Sequence, residues 1–291
     1  MIDLSTRWFE ARFRMLSYEF CIRSNVVRVE DVVPRLFAPF TFSGNGHSGL
    51  PTYKLTDRGE GVERRYRLDV DGSKIQEVVS PGSMLDWVIA DSCRRAVASA
   101  GDVLAIHAGV VAIDNRAAVF PAPPDAGKTT LTAGLTRAGF AFLSDEVAVI
   151  DPGTRLVHPF PRPVLMDPGS VDVLEGLRET LPPAYEAFRR SRYHLAPDDL
   201  RPGALGGACE IGYVIAPAYR RGATTTLEPI SRAQTLMHLA RNAFNLERFG
   251  GRGFATLADV VETCRGFRLS IGDLTAAIAL VSDLLSSNGS G

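Results

Sequence analysis

The chain has 291 residues, 45% of them apolar and 22% charged, an ordinary globular composition that excludes a mostly disordered polymer. Its length suggests roughly two domains. Thirty-two basic residues against 33 acidic ones leave a net charge of −1. No bulk attraction to nucleic acid or to an anionic membrane follows from that balance. Any anion binding must come from a local site.

The N-terminal residues carry charges every few positions and lack an apolar core with a small-residue cleavage site, so no secretory signal is expected. No stretch reaches the roughly 18 consecutive apolar residues of a membrane span. The four cysteines, at 21, 93, 209 and 264, form no Cys-x-x-Cys pair and no zinc spacing with histidine. They read as reduced residues, and the expected location is the cytoplasm.

Residues 1–82 read as a β-rich domain. Cys21–Val29 and Arg64–Val70 partly alternate, and Asp71-Gly72 before Lys74–Val79 is hairpin chemistry. Three glycines between Phe42 and Pro51 mark a turn-rich piece, and Pro81-Gly82 breaks the pattern. Ser83 is a candidate cap for a helix running to about Ala100, with Gly101 as its stop. Val103–Ile113 and Ala117–Phe120 are apolar runs joined by Asp114-Asn115, which predicts a hairpin or adjacent core strands. Thr129–Ala138 reads as a helix ending at Gly139, and two short apolar strands flank Ser144-Asp145-Glu146. Further helices are expected near Val171–Arg178, Ser231–Asn242, Thr256–Val261 and Asp273–Leu285, with a strand at Glu210–Ile215. Residues 83–286 therefore form the second domain, and 287–291 a tail expected to fray.

The most informative segment is Ala117–Leu131, AAVFPAPPDAGKTTL. An apolar strand, a loop ending in Gly-Lys-Thr, and a helix make the context of a phosphate-binding loop. A phosphate tail needs converging backbone N–H donors, and a helix N-terminus adds the positive end of its dipole. Asp125, Ala126, Gly127, Lys128, Thr129 and Thr130 are the candidate nucleotide-binding residues. Gly127 allows close approach, Lys128 reaches the β- and γ-phosphates, and the Thr129 hydroxyl suits Mg²⁺. The loop departs from the usual Gly-x-x-x-x-Gly-Lys-Ser/Thr. Ala122 stands at the first glycine, Pro123 and Pro124 remove two N–H donors, and Asp125 brings a carboxylate. The alternative reading is an ordinary turn.

Asp145 and Glu146 lie at the end of an apolar strand after this loop. A carboxylate there can hold Mg²⁺, directly or through water, or take a proton from an attacking hydroxyl; a solvated turn is the plainer reading. His107, within an apolar strand, is either a satisfied core histidine or a catalytic one.

Several segments resemble the HPr kinase/phosphorylase superfamily, most nearly the HPr-kinase-related kinase A group found beside PqqD-like peptide-binding proteins. They are His107-Ala-Gly-Val-Val, Phe120 through Leu131, Gly139 through Ile150, His158-Pro-Phe-Pro-Arg-Pro, Leu227 through Met237, and Asn242-Ala-Phe-Asn. The resemblance covers about residues 85–285. It implies an α/β P-loop kinase core of HPr kinase/PEP carboxykinase type with a small β-rich N-terminal region. It implies transfer of the ATP γ-phosphoryl group to a serine-type hydroxyl of a peptide, protein or small molecule, with ATP and Mg²⁺ as cofactors. By the same resemblance Lys128 holds phosphates, Thr129 and an acidic residue hold Mg²⁺, and Asp145 matches the base. Glu146 matches its metal or structural partner, His107 the strand histidine of the active site, and Arg162 a phosphate or substrate contact. A peptide and a PqqD-like protein are the implied partners, and a homo-oligomer is left open. The glycine-rich signature of true HPr kinase/phosphorylases is absent, since Glu210-Ile-Gly-Tyr-Val-Ile differs from it, and Asp167 stands where a basic residue is expected. HPr itself is therefore not the expected acceptor. The alternative is a nucleotide-binding regulatory or partner protein with little turnover; a scaffold that binds no nucleotide is a third.

Overall fold

A computed structural model describes residues 8–43, 49–59, 65–189 and 192–286. The expected fraying tail lies outside them, as does most of the glycine-rich piece after Phe42. In chain order, the first elements are β1 (Phe9–Met15), β2 (Tyr18–Ser24), α1 (Val29–Leu36), β3 (Thr52–Asp57), β4 (Tyr66–Val70), β5 (Ser73–Val78) and α2 (Pro81–Ser99). There follow β6 (Leu104–Ile113), β7 (Arg116–Pro121), α3 (Lys128–Arg137), β8 (Ala141–Ser144), β9 (Val147–Ile150) and β10 (Val157–His158). The middle of the chain holds β11 (Val164–Met166), α4 (Pro168–Asp172), α5 (Leu177–Thr180), β12 (Tyr193–Leu195) and α6 (Pro197–Leu200). Last come β13 (Glu210–Tyr219), β14 (Thr226–Pro229), α7 (Arg232–Arg241), α8 (Leu246–Thr263), β15 (Arg265–Ile271) and α9 (Leu274–Ser286).

The chain forms two compact units whose limits differ from the division at Pro81-Gly82. The first contains residues 1–100, 162–172 and 176–196; the second contains 101–161, 173–175 and 197–291. Helix α2 belongs with the N-terminal sheet because Pro81 begins it instead of breaking the chain. Ser80, not Ser83, is the cap: its hydroxyl accepts from the Ser83 N–H at 3.2 Å, and Pro81 takes the first helical position. Proline fits there because its missing N–H would have had no intrahelical partner.

In the first unit five strands run in the order β1-β2-β3-β4-β5, with only the β2–β3 pair parallel. The Asp71-Gly72 turn has both residues at positive φ, 52° and 80°, the conformation of a tight hairpin. Phe13, Phe20, Phe37 and Tyr53 pack as a buried aromatic cluster. Helix α1, within a stretch read as irregular and β-rich, buries Val29, Val32, Val33 and Leu36 on one face. The expected helix over 171–178 is two short helices, because Gly176 adopts a left-handed conformation between them.

The second unit is an eight-stranded sheet in the order β10-β9-β6-β7-β13-β15-β14, with β8 also paired to β6. β6 and β7 form the expected hairpin through Asp114 and Asn115, both left-handed. β7, β13 and β15 are parallel neighbours. Strand alternation sends Ile106, Ala108, Val110, Ala117 and Val119 to one face, under α7 and α8. It sends Val111, Ala118, Phe120, Phe267 and Leu269 to the other, under α3 and α9. Burial on both faces explains why β6 is a nearly continuous apolar run. No helix among the described residues is long and apolar enough to cross a membrane.

Candidate functional site

β7 ends at Pro121, and the chain passes through residues 122–127 into α3. The loop lies at the carboxyl ends of the three parallel strands, where ligands of open α/β sheets bind. The Tyr219 N–H at the end of β13 donates to the Ala126 carbonyl at 3.3 Å. A Cβ on Gly127 would lie 3.3 Å from Tyr219 Cβ and 3.9 Å from Ile271 Cδ1. Together with its φ of +88°, this crowding explains the glycine.

Asp125 is also left-handed, with φ 63°, whereas Ala126 between it and Gly127 is not. Alternating backbone handedness turns successive N–H groups toward one side and makes an anion-binding concavity. Asp is among the few residues besides glycine that tolerate this region. Asp125 therefore takes a backbone conformation that glycine adopts most readily, and its side chain is exposed. Gly127 caps α3 without a side-chain hydrogen bond to the first turn, and the end of the helix dipole faces the loop.

Lys128 is buried, and its Nζ donates to the Ala122 carbonyl at 2.8 Å and the Pro123 carbonyl at 2.7 Å. It closes the loop upon itself. Ala122 at the first position supplies the carbonyl that a glycine would also supply. One turn on, Gly109 of β6 lets α3 approach the sheet, since a Cβ there would lie 2.3 Å from Thr132 Oγ1.

The acidic pair follows the end of β8 and precedes β9, as its apolar flanks predict. β8 and β9 both run antiparallel to β6 in one line, with Val110 opposite Ser144 and His107 opposite Val147. Asp145 and Glu146 interrupt that line. The Ser144 hydroxyl accepts from the N–H groups of Glu146 (3.2 Å) and Val147 (2.9 Å), which shapes the interruption. Such irregularities re-aim side chains beside sites. Asp145 is fully buried, and Thr129 Oγ1 donates to its Oδ2 at 3.4 Å. His107 Nε2 lies 3.4 Å from Glu146 Oε1. The structure thus joins Lys128, Thr129, Asp145, Glu146 and His107 around one sheet end. Thr130 follows in the first turn of α3. Arg162 belongs to the first unit, where it is buried and its Nη1 donates to the Pro163 carbonyl at 3.3 Å.

One segment beside His107 has no role in the sequence reading. Residues 242–245, between α7 and α8, lie along the half of β6 that β7 leaves uncovered. The His107 N–H donates to the Asn242 carbonyl at 2.7 Å, and the Phe244 N–H to the Ala105 carbonyl at 2.8 Å. The buried Asn245 side chain accepts from the Ala105 N–H at 3.0 Å and donates to the Val103 carbonyl at 2.9 Å, as a peptide group would. Phe244 remains half exposed with its ring 5.5 Å from the His107 ring. The quoted Asn242-Ala-Phe-Asn was the available signal, but local periodicity could not assign it to a sheet edge.

The oxygen donors suit a small hard cation. Thr129 and Asp145 supply a hydroxyl and a carboxylate at one point, and Mg²⁺ commonly takes one or two such groups while phosphates and water complete its shell. Among the described residues no cluster of three or more His, Cys, Asp or Glu forms a cage made by protein alone.

No family model matches the chain, and no curated protein does. Among solved structures, the HPr(Ser) kinase/phosphatase from Coxiella burnetii is similar, at 11% identity over 63% of this chain and 94% of that one, with a TM-score of 0.28. A superposition that low transfers no residue role to this chain.

Proposed function

We propose that the chain is an ATP-dependent phosphotransferase, moving the γ-phosphoryl group to a serine-type hydroxyl of a peptide, protein or small molecule. The observation that carries the proposal is the loop 122–127: alternating handedness at 125–127, closure by Lys128, and Thr129 against the buried Asp145. In this reading the N–H groups of residues 126–130 and the Lys128 ammonium hold the phosphates. Thr129 and Asp145, with Glu146 adjacent, hold Mg²⁺, which neutralises phosphate charge when bound. Asp145 orients the acceptor hydroxyl and takes its proton. The Glu146 carboxylate orients His107 at the edge of the same site. Transfer of this kind rests on positioning and electrostatic stabilisation. The sequence resemblance adds a peptide acceptor and a PqqD-like partner to the proposal.

A second reading, a nucleotide-binding partner protein with little turnover, is favoured by Pro123 and Pro124, which offer no N–H to a phosphate. Two measurements separate the readings. Mg²⁺-dependent thermal stabilisation by ATP or ADP is expected under both, because the ligand binds the folded state only. Label from γ-³²P-ATP entering a peptide encoded beside the gene is expected only for the kinase. No stabilisation at saturating nucleotide would overturn both readings, and binding without a labelled product favours the second.

A further inference from the structure

On the face of the sheet opposite α3, an open cavity of about 390 Å³ lies between α7 and β15. Gln234, Met237, His238, Arg241 and Arg268 line it, and none of these is acidic. Arg241 stands in the last turn of α7. Arg268 projects from β15 on the side opposite the buried Phe267 and Leu269. Several other arginines are committed to carboxylates, as Arg67 is to Asp69, Arg95 to Asp91 and Arg155 to Asp259. The guanidiniums of Arg241 and Arg268 have neither an ion pair nor a hydrogen-bond partner among the described residues. Glu228 faces Arg268 across the β14–β15 pair without bonding to it. Both guanidiniums bear on His238: burial first, then the charges of Arg268 and Arg241, hold that imidazole below the ordinary histidine range.

Two guanidinium forks from different elements thus share one cavity whose lining holds no carboxylate. A single fork matches the two oxygens of a carboxylate, whereas two forks can serve separate edges of a tetrahedral group. We propose that Arg241 and Arg268 form an anion site for a phosphate-class group, separate from the loop 122–127. The shared chemistry is a phosphate or phosphomonoester, supplied free in solution or by a phosphorylated side chain.

The test follows the His238 ring signals by NMR in the full chain at constant ionic strength, titrating inorganic phosphate in one arm and a short phosphoserine peptide in the other. A saturable shift is expected in the wild type and in K128A. Binding should weaken about tenfold or more in R241Q/R268Q, from the loss of charge-assisted hydrogen bonds. Tighter binding of the peptide would identify a phosphorylated polypeptide as the source, and equal binding a free phosphate compound. An unchanged response in R241Q/R268Q, or the same shift produced by chloride alone, would overturn the proposal. If the double variant does not fold, the single R241Q and R268Q variants provide the same comparison. The readout does not depend on nucleotide binding, so its failure leaves the kinase reading untouched.

Discussion

Lys128→Ala tests two roles of one side chain. The lysine is 6% exposed and donates to two carbonyls of its own loop. Hydrogen bonds from a charged donor are worth about 1.5–3 kcal/mol each, and the cost of burying the ammonium offsets part of this. A net loss of about 1–3 kcal/mol is therefore expected even without ligand. For a unit of this size that lowers Tm by about 2–4 °C per kcal/mol. The same variant should lose the stabilisation that Mg²⁺ and ATP give the wild type, along with phosphoryl transfer. Thermal unfolding by circular dichroism, run with and without saturating Mg–ATP, reads both effects. An unchanged Tm without ligand would refute the bracing role. A nucleotide-induced shift equal to that of the wild type would refute the assignment of the loop to phosphate.

Four further changes probe the surroundings. Asp145→Asn should weaken the Mg²⁺-dependent part of the nucleotide-induced Tm shift, and transfer should fall at least about 100-fold, the scale of a lost general base; unchanged labelling removes Asp145 as the base. Asp125→Asn keeps a residue tolerant of positive φ and removes a carboxylate from the loop, so nucleotide affinity measured by calorimetry should rise roughly three- to tenfold. A fall in affinity would mean that the carboxylate serves the ligand. Gly109→Ala brings a methyl group against Thr132 Oγ1 and should cost about 1–3 kcal/mol in denaturant unfolding. Thr132→Ala in the same chain should recover part of that cost, and strict additivity of the two would contradict the close packing. Asn245→Ala leaves the Ala105 N–H and the Val103 carbonyl without their partner and should cost about 2–4 kcal/mol; a cost near zero in urea unfolding would mean that water replaces the amide.

Much of the second unit was legible because its signals are local. Asp114-Asn115, the Gly-Lys-Thr-Thr helix start, Gly139 and the helix from about Ser231 each rest on signals within a few residues, and each appears where expected. Elements defined by distant partners were harder. Arg265–Ile271 carries a local strand signal, with Phe267, Leu269 and Ile271 alternating with polar residues, but its parallel pairing with Glu210–Tyr219 is not readable within those seven residues. Asp145-Glu146 lies between two short strands, as its polarity amid apolar flanks predicts, but that polarity does not name the strands' partner. The pairing of both flanks with β6 is a tertiary fact. Pro81 was misread for the converse reason: proline interrupts a helix but also begins one, and the deciding Ser80 cap lies just before it.

Asp125 shows why composition and function separate in this chain. A near-neutral protein with a carboxylate inside a phosphate loop looks poorly suited to bind an anion. In the structure the loop's geometry depends on φ and on backbone donors, and charge enters chiefly through one buried lysine. A residue that holds φ near +63° preserves the concavity whether or not it carries charge. Pro123 and Pro124 fit the same logic. They precede the alternating residues, and the Pro123 carbonyl, which proline retains, is one that Lys128 uses. The N–H groups lost to proline fall outside residues 126–130, so the donors nearest the helix dipole remain. In the proposed reading these departures act on the loop's electrostatics, since the left-handed positions 125 and 127 and the N–H donors of residues 126–130 are present, and Asp125→Asn measures the effect on affinity.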